Sequence, residues 1–166
     1  MVGATDRQNG SAVERLARIR QNWRRLVRQG KRVAVVIVDS SALVAILKQE
    51  PDWRWFAAAL DKSESSFISA ATYVEICVVM ERLKVGTLSR DIDELIEHFE
   101  IAIEPVSVSQ AKIARQAYRD YGKGSGHPAG LNFGDCFSYA LASEKREPIL
   151  YKGDDFVHTN LRSALQ

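Results

Sequence analysis

Residues 33–47 read VAVVIVDSSALVAIL. The apolar run Ala34–Val38 has the length and β-branched character of a buried strand. It stops on Asp39, and Ser40 and Ser41 lead at once into helical apolar spacing. An acid at that point is costly to desolvate, and the carboxyl end of a buried strand is where open α/β sheets place ligand chemistry. Asp39 is therefore the first candidate for a functional side chain.

Further strands are predicted at Phe67–Ser69, Ala102–Val106 and Pro148–Tyr151, separated by stretches too long for hairpins. Those stretches carry apolar residues at the i, i+3, i+4, i+7 spacing of helices with one buried face. The sets are Ile76, Val79, Met80 and Leu83; Ile92, Leu95, Ile96 and Phe99; and Ala114, Ala117, Tyr118 and Tyr121. A further helix after Pro51 carries Trp53 and Trp55, read as core or interface residues. Alternating strands and helices imply a mainly parallel central sheet with helices on both faces and right-handed crossovers. Gly122–Gly130, with four glycines and a proline, breaks any helix and belongs on the surface. There is no internal repeat.

A chain of 166 residues with 46% hydrophobic composition suits one domain with a single core plus an appendage. The net charge of +2 conceals a split. Residues 1–32 carry nine Lys or Arg against two acids, or +7, and residues 33–166 carry fourteen against nineteen, or −5. That asymmetry divides the chain into a basic helical extension, 1–32, and a main folded domain, 33–166. Within the extension Leu16, Ile19, Trp23 and Leu26 put a narrow apolar seam on an arginine-covered amphipathic helix, roughly Ala12–Gln29. No apolar run has the length of a membrane span, and the basic start lacks the apolar stretch of a secretory signal, so a cytoplasmic protein is expected. Cys77 and Cys136 lie far apart on apolar helical faces and read as reduced core residues.

The remaining acids fall near strand ends or helix starts. Glu75 closes Thr72-Tyr73-Val74-Glu75, expected in the first turn of the helix after the second strand, and Asp135 closes Asn132-Phe133-Gly134-Asp135 after the glycine loop. Asp154 and Asp155 follow the last strand. Taken singly, the first two segments have the form of capping boxes and the Asp pair that of a turn. Taken jointly, parallel central strands would collect the acids at one sheet edge. Carboxylates packed together cannot all stay ionised without a cation, and the hard ions Mg²⁺ or Mn²⁺ suit oxygen ligands. No Cys/His or Ser/His pairing supports a covalent route; Ser40 and Ser41 read as a helix cap and a hydrogen-bond partner of Asp39.

DSSALVAIL at 39–47, AATYVEI at 70–76, YGKGSGHPAGLNFGDCFSYALA at 121–142 and PILYKGDDFVHTNL at 148–161 resemble the PIN-domain ribonuclease toxins of the VapC family. The resemblance implies a PIN-like three-layer sandwich and a Mg²⁺-dependent endoribonuclease, with Mn²⁺ as a substitute, from a type II toxin–antitoxin pair. It places the metal-site acids on Asp39, Glu75, Asp135 and the Asp154/Asp155 pair, with Asp155 favoured. It also implies tRNA or rRNA as substrate, a cognate VapB-type antitoxin as partner, and a homodimer. Residues 1–32 depart from the family, whose members begin close to the first strand.

Lys123 and His127 in the glycine loop and Lys152 beside the acidic pair are candidates for holding the RNA backbone, against a reading as solvated surface groups. Two other classes compete. A receiver-like or haloacid-dehalogenase-like phosphoryl-transfer domain also places Asp after its first strand, but wants an acidic pair there or a second Asp two residues on. A non-catalytic RNA-binding module accounts for the basic helix and leaves the acids without a purpose.

Overall fold

The computed structural model describes residues 33–82 and 88–165, with 33–34 and 88–90 described by backbone alone. Strand β1 (Val33–Val38) is followed by helices α1 (Ser40–Lys48) and α2 (Trp53–Lys62), strand β2 (Ser63–Ser69), and helices α3 (Ala70–Arg82) and α4 (Leu88–His98). Strand β3 (Ile101–Glu104), helices α5 (Val108–Tyr121) and α6 (Asp135–Lys145), and strand β4 (Ile149–Leu150) complete the order. The four strands form one sheet in the order β3-β2-β1-β4, and every pairing is parallel.

Alternation along β1 separates two layers of core. Val36 and Val38 pack with α1, α2, α3 and α4 through Leu43, Phe56, Ile76 and Leu95. Ile37 faces the other way, against Ala117 of α5 and Cys136, Ala140 and Leu141 of α6. Leu150 and Ile149 of β4 divide between the same two clusters. Because successive side chains of a strand point to opposite faces, this is the signature of a sheet covered on both sides, a three-layer α/β sandwich.

The chain moves from β1 outward through β2 to β3, then returns to place β4 on the other side of β1. The reversal puts a topological switch point between the carboxyl ends of β1 and β4, where ligand crevices form in open α/β sheets. There the amide of Asp39 donates to the carbonyl of Leu150 at 2.9 Å, which ties the residue after β1 to the last residue of β4.

Several boundaries differ from those read in the sequence. Strand β2 begins at Ser63, four residues before the first apolar pair, because the polar run Ser63–Ser66 is paired on β1. Strand β3 ends at Glu104, one residue before Pro105, which has no amide to donate to a ladder. In α3, Ile76 and Met80 are buried but Val79 is 42% exposed, and in α5 Tyr118 is 46% exposed. Leu83 and the predicted N-terminal helix lie outside the described residues. Trp53 and Phe56 are core residues, whereas Trp55 is 69% exposed.

Candidate active site

Asp39 caps α1. Its Oδ2 accepts from the amide of Ser41 at 2.9 Å and from the Ser41 hydroxyl at 2.6 Å, and the Ser41 hydroxyl in turn accepts from the amide of Lys152 at 3.0 Å. One carboxylate oxygen is thus fixed by α1 and by the segment after β4. The other, Oδ1, is buried and has no hydrogen-bond partner in a side chain only 2% exposed. An anionic oxygen stripped of water and given no donor is costly, and a cation is the natural remedy. Ser40, the first residue of α1, is half-buried.

Asp135 begins α6 and is locked reciprocally to Asn132. The amide of Asn132 donates to Asp135 Oδ2 at 2.6 Å, and the amide of Asp135 donates to Asn132 Oδ1 at 3.0 Å. The capping box read in the sequence is therefore real, and it leaves Asp135 Oδ1 outside the pair. Burial pushes the Asp135 carboxyl up to about 7 against the pull of the Asn132 amide, and the charges of Asp39, Asp155 and Glu75 push it the same way. One residue serves as helix cap and as a member of a carboxylate group.

The other capping box is not formed. Helix α3 starts at Ala70, so Glu75 lies in its second turn, and Ser69 Oγ accepts from the amide of Ala71 at 3.3 Å. Thr72 is buried and hydrogen-bonds Ser138 Oγ across to α6 at 3.1 Å. Glu75 is half-buried, and its carboxyl is raised first by burial and then by the charge of Asp39. Its carboxylate rests against Gly134, in the space that a Cβ at that position would occupy. Gly134 escapes the sequence reading; a glycine directly before an acid at a helix start is the signal that could have marked it.

Asp155 is exposed, and its carboxyl is raised by burial of part of the group and by Asp39 and Asp154, with Lys123 opposing. Asp154 acts on Asp155, whereas Asp155 is among the charges that act on Asp135. Asp39, Glu75, Asp135 and Asp155 thus form one electrostatically coupled group at the sheet's carboxyl edge, with Asp154 behind Asp155. Among the described residues no three His, Cys, Asp or Glu side chains stand close enough together to hold a metal ion between them. Mg²⁺ needs no such cage, since it keeps several waters and takes one or two carboxylates directly.

The basic candidates separate. Lys123 is exposed and sits close enough to Asp155 to act on it. Lys152 Nζ is held by Glu50 Oε2 and Asp52 Oδ1, each at 2.6 Å. His127 Nδ1 accepts from the amide of Ala129 at 3.2 Å and its ring lies edge-on to Tyr121, which gives it a part in shaping the glycine loop.

A parallel sheet carrying acids at its switch point is the architecture of the PIN domain, and the PIN domain model matches residues 36–160. The chain is 52% identical over 130 residues to VapC ribonuclease Mb0625 of Mycobacterium bovis, covering 78% of this chain and 98% of the relative. It is 50% identical over 129 residues to ribonuclease VapC42 of Mycobacterium tuberculosis, with the same coverage. Among solved structures it resembles Mycobacterium tuberculosis VapC20, described as a sarcin-ricin loop cleaving toxin. That match has TM-score 0.58 at 15% identity and covers 76% of this chain and 95% of the other. It also resembles a toxin–antitoxin complex from Klebsiella pneumoniae, with TM-score 0.55 at 16% identity over 75% and 92% of the two chains. The chain belongs to the PIN-domain family and, within it, to the VapC ribonucleases.

Proposed function

We propose that this protein is the toxin of a type II toxin–antitoxin pair and a Mg²⁺-dependent endoribonuclease that cuts tRNA or rRNA to inhibit translation. The buried, unpartnered Oδ1 of Asp39 beside three further coupled carboxylates is the observation that carries the reading. Asp39 and Asp135 would hold the principal ion, with Glu75 and Asp155 orienting water or completing a second site once substrate oxygens arrive. A bound divalent ion lowers the pKa of water and offsets charge on the phosphoryl oxygens.

The chain's own groups do the rest. Ser41 holds one Asp39 oxygen and leaves the other, which would hold the ion, without a hydrogen-bond partner. Glu75, whose carboxyl is raised by burial and by the charge of Asp39 and which is not assigned to the principal ion, would take the proton from the attacking water. Water adds at phosphorus, the P–O3′ bond breaks, and the 3′ oxygen leaves with a proton, giving 5′-phosphate and 3′-hydroxyl ends. Lys123, beside Asp155, is placed to meet a backbone phosphate; Lys152 is engaged by Glu50 and Asp52 and reaches RNA only by exchanging one of them.

The partners proposed are a VapB-type antitoxin and a second copy of the chain. Residues 1–32, with a charge of +7, either shield the acidic group or clamp RNA. Deleting residues 1–31 would speed cleavage at low salt in the first case and weaken binding, with a shallower salt dependence, in the second. The metal reading is tested by calorimetric titration of Mn²⁺: affinity should drop sharply in Asp39→Asn and in Asp135→Asn, and unchanged affinity in both would rule the assignment out.

A further inference from the structure

Phe133 is 75% exposed, although it lies between Asn132, which caps α6, and Gly134, on which the Glu75 carboxylate rests. It stands two residues from Asp135, so the two Cα atoms are within about 7 Å of each other. The Asn132–Asp135 pair of reciprocal hydrogen bonds spans Phe133 and fixes its backbone relative to the acid. On α6, Phe137 meets the Phe133 ring edge-on, with centroids 5.0 Å apart and planes at 78°. An edge-to-face contact uses the rim of one ring and leaves a π face open. A solvent-facing aromatic two residues from Asp135 contributes little to the core and offers a face to another flat ring.

We infer that Phe133 is a stacking platform for an unpaired nucleobase next to the scissile phosphate, a specificity-determining residue that selects single-stranded loops of RNA. The inference rests on the ribonuclease reading. Base–aromatic stacking is sequence-tolerant because every base has a π face, and loops whose bases are splayed out are the RNA elements that offer one. Binding such a base sets the register in which the next phosphate meets Asp39 and Asp135. Apolar contact with a protein partner is the competing use of Phe133, but it would not require the residue to be tied to the capping box of a carboxylate.

The test compares wild type with Phe133→Ala, Phe133→Leu and Phe133→Trp. The readouts are cleavage of total cellular RNA with Mg²⁺ and binding of a fluorescein-labelled single-stranded RNA oligonucleotide. Phe133→Ala and Phe133→Leu should lose about 10- to 100-fold in RNA affinity, while Phe133→Trp retains it. The slope of affinity against salt should not change, since no phosphate contact is removed. Mn²⁺ affinity and melting temperature should stay at wild-type values, which separates stacking from damage to the site. Equal RNA affinity in Phe133→Ala and wild type overturns the inference. So does full activity in Phe133→Leu, or a change confined to self-association or antitoxin binding. If wild type itself neither binds nor cuts RNA, the ribonuclease reading falls first.

Discussion

The Glu75 carboxylate occupies the space that a side chain at Gly134 would fill. Two helices distant in sequence, α3 and α6, are thereby brought together at a glutamate and a missing methyl group. Gly134 has φ −66° and ψ −44°, ordinary helical values that alanine adopts freely. Gly134→Ala should therefore melt at the same or a higher temperature, since alanine is favoured over glycine in helical backbone by up to about 1 kcal/mol and the Glu75 side chain can swing aside. The displaced Glu75 should nonetheless cost activity. Thermal melts and RNA cleavage measured side by side check this; retained cleavage would show that Glu75 does not work from its present position.

The acids should make the metal-free protein less stable as pH rises. Asp135, pushed up to about 7, and Glu75 and Asp155, raised as well, hold protons in the folded state that the unfolded chain has released. Between the ordinary carboxylate range and about pH 7 the folded state binds more protons, so stability falls with increasing pH across that window. In chelator the melting temperature should be higher at pH 5 than at pH 8. Saturating Mn²⁺ should remove the difference by stabilising the deprotonated form.

Charge and capping at Asp135 can be separated. Asp135→Asn keeps an acceptor for the Asn132 amide while removing a repelling charge, so in chelator it should melt no lower than wild type. Asn132→Ala instead deprives the Asp135 amide of its acceptor and should cost about 1 kcal/mol in denaturant unfolding. A large loss in Asp135→Asn with none in Asn132→Ala would mean that the carboxylate serves the helix start and nothing else.

Ser41 links Asp39 to the segment after β4 through two hydrogen bonds of its hydroxyl. Ser41→Ala should lower Mn²⁺ affinity by about 10- to 100-fold, the usual effect of losing a group that orients a ligand. Ser41→Thr, which keeps the hydroxyl, should recover most of it in the same titration.

Asp39 is legible in the sequence because a carboxylate ending a buried apolar strand is too costly to desolvate to be there for packing alone. Asp135 is legible because its block lies at a helix start after a glycine-rich loop. Glu75 is legible for the wrong local reason: Thr72 and Glu75 are spaced as a cap, but α3 starts at Ala70, where Ser69 Oγ accepts from the Ala71 amide, and Thr72 bonds Ser138 instead. The first half of β2 is hidden because Ser-Glu-Ser-Ser shows no alternation, and only its neighbour β1 makes it a strand. The pairing of Lys152 with Glu50 and Asp52 joins residues about a hundred positions apart, which local pattern cannot reveal. Gly134 has meaning only once Glu75 is seen above it.

The most direct test is incubation of wild type and Asp39→Asn with cellular RNA in Mg²⁺ and in chelator, followed by mapping of the cut ends. Wild type should cut in Mg²⁺ alone and leave 5′-phosphate and 3′-hydroxyl termini, and Asp39→Asn should not cut under either condition. Cleavage that persists in chelator, or in Asp39→Asn, or that leaves 2′,3′-cyclic phosphates, would contradict a carboxylate-held metal as the centre of this protein's chemistry.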